Sequence, residues 1–282
     1  MMNNKVWFIT GAGRGMGSEI AKAALAAGNK VVATGRNIEQ VTRVLGKEEN
    51  LLVIKLDITN SDEALEAVQK AVEKFGRIDV LVNNAANFYG GFFEELSQEQ
   101  IEAQINTALF GPMNVPRAIL PVMRKQHSGH IISISSGAGI SGFEFNSAYA
   151  AAKFGLEGWM ESLQPEVAPF GINTTIVNAG MFRTEFLTQN STTYASPSIE
   201  DYSERRKLNQ EAYESQNGNQ AGDPAKLARA LVNIVDEKQP PLRFIAGKDA
   251  VAIVENKIDT LKKQTEAYRD LSISLNHDDV VN

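Results

Sequence analysis

The chain has no cysteine among its 282 residues. That excludes disulfides, thiolate nucleophiles and Cys-ligated zinc or iron–sulfur centres, and it fits a reducing compartment. Histidine occurs three times, at His127, His130 and His277. No carboxylate cluster at ligand spacing accompanies them, so no metal site is expected. Apolar runs are short, and none approaches the ~18 residues of a membrane helix. The start, Met1 to Lys5, lacks the basic region, apolar region and cleavage site of a secretory leader. A positive balance is also missing. The formal net charge is -6, which argues against a nucleic-acid or anionic-membrane surface. The expectation is a cytoplasmic protein with neither nucleic acid nor membrane as partner.

What is present is an ordinary globular composition, with 43% hydrophobic residues and 22 Gly. Short apolar runs alternate with longer helical patterns. The strand candidates are Val6–Thr10, Lys30–Thr34, Leu51–Leu56, Val80–Asn83, Ile131–Ser135, Ile172–Val177 and Arg243–Ala246. Most are dense in Val, Ile and Leu, as strands covered on both faces of a parallel sheet are. Helical patterns lie between them at Gly17–Ala27, Ile38–Leu45, Asp62–Phe75, Gln98–Lys125, Ser147–Ala168 and Pro224–Asp236. This alternation predicts a single Rossmann-type doubly wound α/β domain with a seven-stranded parallel sheet over the whole chain, 1–282. Ligands of such folds bind beyond the carboxyl ends of the strands. Two regions break the pattern. Residues 187–222 are polar, with no clear strand, and read as a mobile loop-plus-helix insertion over the substrate side. Residues 250–282 hold one amphipathic pattern (Val251, Val254, Ile258, Leu261) and a polar tail.

The first strand runs into Thr10-Gly11-Ala12-Gly13-Arg14-Gly15-Met16-Gly17, and a helix follows. Glycines let the backbone approach a ligand, and free N–H groups at the helix start favour phosphate. The turn therefore reads as a dinucleotide site built from Gly11, Arg14, Gly15, Met16 and Gly17. Its spacing is T-G-x-x-x-G-x-G. A T-G-x-x-G-x-x-G turn, as in epimerase and dehydratase relatives of such folds, is disfavoured by Arg14, which stands where its second glycine would be. The second strand ends in Thr34-Gly35-Arg36-Asn37. A carboxylate at this point would read a ribose 2′-hydroxyl. An arginine suits a 2′-phosphate instead, and Arg14 can converge on the same group. The expected cofactor is NADP, with NAD the weaker alternative.

Tyr149 and Lys153 stand four apart in an alanine-rich helical pattern and share a face. An ammonium beside a phenol stabilises the phenolate, so the pair predicts a lowered tyrosine pKa and general acid/base work on a carbonyl or alcohol. Ser136, at the end of the preceding strand, offers a hydroxyl to the same substrate oxygen, with Ser135 as its rival.

Together these motifs resemble the short-chain dehydrogenase/reductase family, closely over residues 4–187. The match adds Asp57 after the third strand, Asn83-Asn84-Ala85 after the fourth, and Asn178-Ala179-Gly180 with Thr184 after the sixth. The stretch Tyr149–Gly171 is most similar to the hydroxysteroid and retinol dehydrogenase branch and to bacterial oxidoreductases. The resemblance implies Tyr149 as acid/base, Lys153 on the nicotinamide ribose and Ser136 on the substrate oxygen. It implies Asp57 and Ile58 at the adenine, Asn83 and Ala85 along the adenosine side, and Gly180, Phe182 and Thr184 around the carboxamide. It also implies a homodimer or homotetramer through Gln98–Lys125 and Ser147–Ala168.

The sequence departs from the family mildly at Ala86 and Ala179, where Gly and Pro are usual. A sharper departure concerns a fourth catalytic residue, an Asn in N-x-x-G. In the matching frame, Ala108-Leu109-Phe110-Gly111, the Asn is replaced by Ala108. Asn106 is two residues off, about 200° around a regular helix, so only a helix irregularity would bring it to the site. Ala108 keeps open an alternative, an NADP-binding sensor or impaired member. Phe88, Tyr89, Phe92, Phe143, Phe145, Met181, Phe182 and Phe186 fall on segments facing the site and favour a lipophilic ketone, aldehyde or alcohol.

Overall fold

The computed structural model describes residues 4–277. The buried apolar segments form the strands and the amphipathic segments the helices. In chain order the amino-terminal half runs β1 (Val6–Ile9), α1 (Gly15–Ala26), β2 (Lys30–Gly35), α2 (Ile38–Leu45), β3 (Leu51–Lys55), α3 (Ser61–Phe75), β4 (Val80–Asn83), a short β5 (Phe88–Gly90), α4 (Gln98–Ile105) and α5 (Gly111–Gln126). The other half runs β6 (Gly129–Ser136), α6 (Ser147–Val167), β7 (Ile172–Ala179), β8 (Thr192–Tyr194), α7 (Ser203–Gln216), α8 (Pro224–Val235), β9 (Arg243–Ala246), α9 (Lys248–Ala267) and α10 (Arg269–Ile273).

Seven strands make one parallel sheet in the order β3-β2-β1-β4-β6-β7-β9. Two apolar cores cover its faces. One packs Phe8, Leu81, Ile131, Ile119 and Met160. The other packs Trp7, Ile9, Ile20, Val82 and Leu231. The strand order reverses between β1 and β4, which opens a crevice at their carboxyl ends. Local signals set the helix ends. Asn60 accepts from Asp62 N and Glu63 N to start α3, and Gly76 ends it at φ 77. Ser97 and Gln100 form a reciprocal capping box on α4.

Three segments differ from the sequence expectation. The predicted helix Gln98–Lys125 is interrupted by a π-helical turn, Asn106–Phe110, between α4 and α5. Pro112 has no N–H to give the Ala108 carbonyl, and the ladder slips so that Gly111 N donates to Asn106 O. The insertion 187–222 is tied down rather than loose. Its β8 pairs in parallel with β5 as a separate two-stranded sheet, and its α7 carries a buried arginine, Arg206. The carboxy-terminal helix packs only by its first turns. Ala250 is buried, whereas Ile258 and Leu261 are exposed. The last part of the predicted tail, 278–282, lies outside the described residues.

Candidate active site

A cavity of about 1340 Å³ opens at the carboxyl ends of β1, β2, β4, β6 and β7. Of the sequence-predicted residues, Gly11, Arg14, Gly15, Met16, Arg36, Asp57, Ile58, Ala85, Ser136, Tyr149, Lys153, Gly180, Phe182 and Thr184 line it. Two do not. Gly17 lies beneath the turn, where a Cβ would run into the Gly11 carbonyl. Asn83 is buried, and its amide donates to Pro112 O at 3.0 Å and Ser133 Oγ at 3.2 Å. Pro116 cannot donate to the Pro112 carbonyl within α5, and Asn83 fills that gap. Its side chain therefore braces α5 against β4, and Asn84 and Ala85 form the wall instead.

The glycine turn is a cradle that side chains would fill. Gly11 stands at φ 67, and a Cβ there would lie 2.9 Å from Ala85 Cα. Gly15, at φ 56, also needs the left-handed region. Thr10 Oγ1 accepts from Asn84 N and Ala85 N, locking the turn to the end of β4. Helix α1 starts at Gly15 with no side-chain cap and no acid in its first turn. Its amino end thus keeps free donors and a positive dipole end facing the cavity, which fits a pyrophosphate.

At one end of the cavity burial holds the Arg14 pKa below the usual arginine range, the Glu185 charge opposes this, and the Arg36 charge lowers it further. Arg14 Nη2 donates to the Asn190 carbonyl, 2.9 Å away. Asn37 and Gln40, which the sequence reading missed, line the same end. Asp57 sits beside them, one oxygen engaged by Thr59 N and Thr59 Oγ1.

Tyr149 and Lys153 lie one turn apart on α6, with the Lys153 Nζ 5.6 Å from the Tyr149 ring centre. Lys153 is only 3% exposed and donates to Ile134 O at 2.9 Å. Burial holds its pKa down to about 8, against the pull of Glu157. Tyr149 departs from the expectation. Burial pushes its pKa up; the Ser136 hydroxyl, hydrogen-bonding the phenolate, counters this, and Tyr213 adds to it. Desolvation wins because Phe88 and Phe186 enclose the ring and the lysine ammonium is turned towards the β6 backbone. The phenol is therefore a neutral acid at neutral pH.

Ser136 and Ser135 are now distinguished. Ser135 Oγ donates to the buried Glu157 carboxylate at 2.5 Å and is spent there. Ser136 Oγ accepts from Ala138 N at 3.1 Å and turns its hydrogen towards the Tyr149 oxygen. The π-helical turn puts Asn106 and Thr107 on the cavity wall, while Ala108 is fully buried.

Of the predicted apolar lining, Phe88, Tyr89, Phe143, Met181, Phe182 and Phe186 are on the wall. Phe92 and Phe145 are not: they pack on each other, and Phe92 stacks on Tyr202. Asn146, Tyr213, Gln220 and Asp249 line the cavity and were missed. Asn146 stands three residues before Tyr149, a position with no composition signal. Tyr213 and Gln220 belong to the insertion, whose path a sequence pattern does not fix. Among the described residues no His/Cys/Asp/Glu group could hold a metal ion, and no helix is long and apolar enough to cross a membrane.

A parallel sheet with a glycine cradle at its reversal point and a Tyr–Lys pair on the adjacent wall defines a dinucleotide-type α/β oxidoreductase fold. The family model of the short chain dehydrogenase matches residues 5–195, and the chain belongs to that family, whose members use a nicotinamide cofactor. It is similar to the oxidoreductase BOA17 of Botryotinia fuckeliana, 37% identical over 96% of this chain and 98% of that protein. It is likewise similar to a 3-ketodihydrosphingosine reductase of Bacteroides thetaiotaomicron, 37% identical over 87% of this chain and 89% of that protein. A solved short-chain dehydrogenase from Streptomyces avermitilis superimposes with a TM-score of 0.88 at 34% identity, covering 96% of this chain and all (100%) of that one.

Proposed function

We propose that the protein is an NADP(H)-dependent oxidoreductase that interconverts a carbonyl and an alcohol on a lipophilic small molecule. The observation that carries this reading is one cavity with Ser136, Tyr149 and Lys153 on its wall and the Arg14–Arg36 pair at its end. Two mutually repelling guanidinium groups in one cavity are stabilised by an anion between them, and a ribose 2′-phosphate is such a group. When bound, the nicotinamide supplies or accepts the hydride. In reduction Tyr149 donates its proton to the carbonyl oxygen, and Ser136 hydrogen-bonds the same oxygen. Lys153, charged below about pH 8, stabilises the phenolate left on Tyr149. In the oxidative direction the same groups reverse their proton transfers. Gly11, Gly15, Met16, Asp57, Ile58, Ala85, Gly180, Phe182 and Thr184 support the cofactor reading by their place on the wall.

Asn106 takes the part of the amide that Ala108 lacks, helped by the π-helical turn that puts it on the wall. The buried Ala108 favours a second reading, a cofactor-binding protein with impaired chemistry. Ala108→Asn decides between them if activity is undetectable: a large rise in rate points to a damaged enzyme, and no rise supports the sensor.

The insertion 187–222 covers the substrate side. The chain assembles as a homodimer or homotetramer through α4, α5 and α6, supported by two exposed aromatic rings, Phe110 in the turn between α4 and α5 and Phe154 on α6. It works in the cytoplasm. The decisive experiment is thermal unfolding with NADPH or NADH, followed by NADPH oxidation over a carbonyl panel. A ligand at 100 times its Kd adds about 2.7 kcal/mol. Stabilisation by NADPH above NADH, with turnover lost in Tyr149→Phe, supports the reading. Equal or absent stabilisation refutes the cofactor assignment, and no turnover in either the wild type or Ala108→Asn refutes the enzyme.

A further inference from the structure

This inference rests on the carbonyl–alcohol reading and names the substrate class more closely. Beside Tyr149 the cavity carries a polar pair that the hydride and proton steps leave unused. Asn146 precedes α6 and is 8% exposed. An asparagine at a helix start ordinarily gives its oxygen to a backbone N–H of the first turn. Asn146 makes no such bond. Its Nδ2 donates to the Tyr213 hydroxyl at 3.2 Å, and its Oδ1 is buried with no partner among the described residues. Leaving a buried amide oxygen unpaired is costly, and such groups normally have a reason.

The backbone holds this side chain in place. Phe145 adopts φ 69, a region a bulky residue rarely occupies. Its carbonyl accepts from Gly91 N at 3.1 Å, and its ring packs edge-on against Phe92. The Asn146 partner comes from the insertion: Tyr213, on α7, reaches over the same wall. Its ring centre is 5.4 Å from Phe88, which stands 5.4 Å from Tyr149. Because the Tyr213 oxygen accepts from Asn146, its own hydrogen is free to donate.

The cavity wall on the Phe88 side of Tyr149 therefore offers one acceptor and one donor side by side. A ketone or ester oxygen only accepts, and an ammonium only donates. A hydroxyl does both. Turning the Asn146 amide over exchanges the two roles, and a hydroxyl still satisfies both. The neighbouring lining, Phe88, Phe143 and Phe186, is apolar.

We propose that the substrate is a hydroxy ketone, a carbonyl flanked by a hydroxyl on an otherwise apolar molecule, and that Asn146 and Tyr213 bind that hydroxyl. A site built to pair a hydroxyl discriminates strongly against the analogue lacking it, because its own polar groups are then stranded.

The test uses the full-length protein with NADPH and three long-chain ketones of equal length: a β-hydroxy ketone, its α-hydroxy isomer and the plain ketone. The readout is the ratio of kcat/KM between each hydroxy ketone and the plain one. The wild type should favour one hydroxy ketone by at least about tenfold. In Tyr213→Phe and in Asn146→Leu that ratio should fall to about one, with the NADPH-induced thermal shift retained as proof of folding and cofactor binding. The isomer preferred by the wild type gives the spacing of the hydroxyl from the carbonyl. Equal rates on all three ketones, or a preference that survives both substitutions, overturns this inference and leaves the oxidoreductase reading intact. Failure to reduce any carbonyl overturns both.

Discussion

Glu157 gives the sharpest handle on the proton chemistry. It lies one helical turn beyond Lys153 and is buried. Its carboxylate accepts from Ser135 Oγ at 2.5 Å and from Asn178 Nδ2 at 2.6 Å, and it pairs with Arg243. Burial depresses the Lys153 pKa, and Glu157 is the charge that opposes it. Two unit charges one turn apart, roughly 6 Å, interact by about 2.8 kcal/mol at an effective dielectric of about 20. That is about a hundredfold in the proton affinity of the amine. Glu157→Gln keeps the volume and removes the charge. Arg243 is not stranded, because Asn178 Oδ1 at 2.8 Å and Glu161 at 2.5 Å remain.

The sign follows from the charge. In the proposed mechanism Lys153 must be an ammonium to stabilise the phenolate, so reduction should slow as pH rises through its pKa. The wild-type limb is expected at about pH 8. Loss of Glu157 should move it down to about pH 6. At pH 7 the charged fraction then falls from about nine tenths to about one tenth, a loss of rate of roughly tenfold. At about pH 5 the two enzymes should converge. The assay is the pH profile of kcat for NADPH-dependent reduction of a reactive diketone. Ser135→Ala is the control: it removes one hydrogen bond to Glu157 and no charge, so its limb should stay in place. An unmoved limb in a folded Glu157→Gln enzyme would refute the electrostatic argument.

Four other outcomes are expected. Arg36→Ala or Arg14→Ala should weaken NADPH about 10- to 100-fold, the range of one charge-assisted hydrogen bond, and leave NADH within a few-fold; titration of each cofactor measures it. Asn106→Ala should lower kcat at least about tenfold with KM little changed, which steady-state kinetics will read. His130 is neutral in the fold, its pKa pushed down to about 4 by burial and the charge on Lys5; its Nε2–H donates to Thr175 Oγ1, whose own hydrogen goes to Pro241 O. Its contribution is whole above the ordinary value of 6.5 and lost as pH falls towards about 4; this loss of about 3 kcal/mol should vanish from denaturant curves of His130→Asn. The Arg206 guanidinium and the Ser198 and Ile199 amides hold the Glu95 pKa at about 2, so that stabilisation is whole above about 4.5 and lost as pH falls towards about 2; in Arg206→Met the slope of Tm over this window should flatten.

Much of the architecture was legible because burial on both faces leaves an unmistakable pattern. Val6–Ile9, Val80–Asn83 and Ile131–Ile134 are dense apolar runs with turn residues at their ends. The glycine turn was legible for a related reason: only a residue without a Cβ fits Gly11 against Ala85. Other features depend on partners distant in sequence. β5 and β8 are three residues each and exist only by pairing with one another across the insertion. Asn83 looked like a wall residue until the carbonyl freed by Pro116 claimed its amide. The raised pKa of Tyr149 could not be read from its spacing to Lys153. Spacing gives the ammonium's proximity, whereas Phe88 and Phe186 supply the desolvation that outweighs it.

The insertion shows how the fold divides its labour. The cofactor end is fixed by backbone: a glycine cradle, a helix start and Thr10 locking the turn to β4. The end proposed to take the substrate is fixed by side chains from segments far apart in sequence. Glu95, before α4, is buried and receives Ser198 N, Ile199 N and the Arg206 guanidinium. Phe88 N donates to Ser191 O, and Ala195 N to Gly90 O. Displacing the insertion would break the β5–β8 pairing and expose a charged pair whose partners are all within the protein. A loop held this way acts as a wall with a set shape rather than as a freely moving cover. Tyr213 is carried on that wall, and its hydroxyl meets Asn146 from the core. Under the proposed role of Tyr213, substrate choice changes there while the glycine cradle and the Tyr–Lys pair, on elements of the sheet and α6, keep their positions.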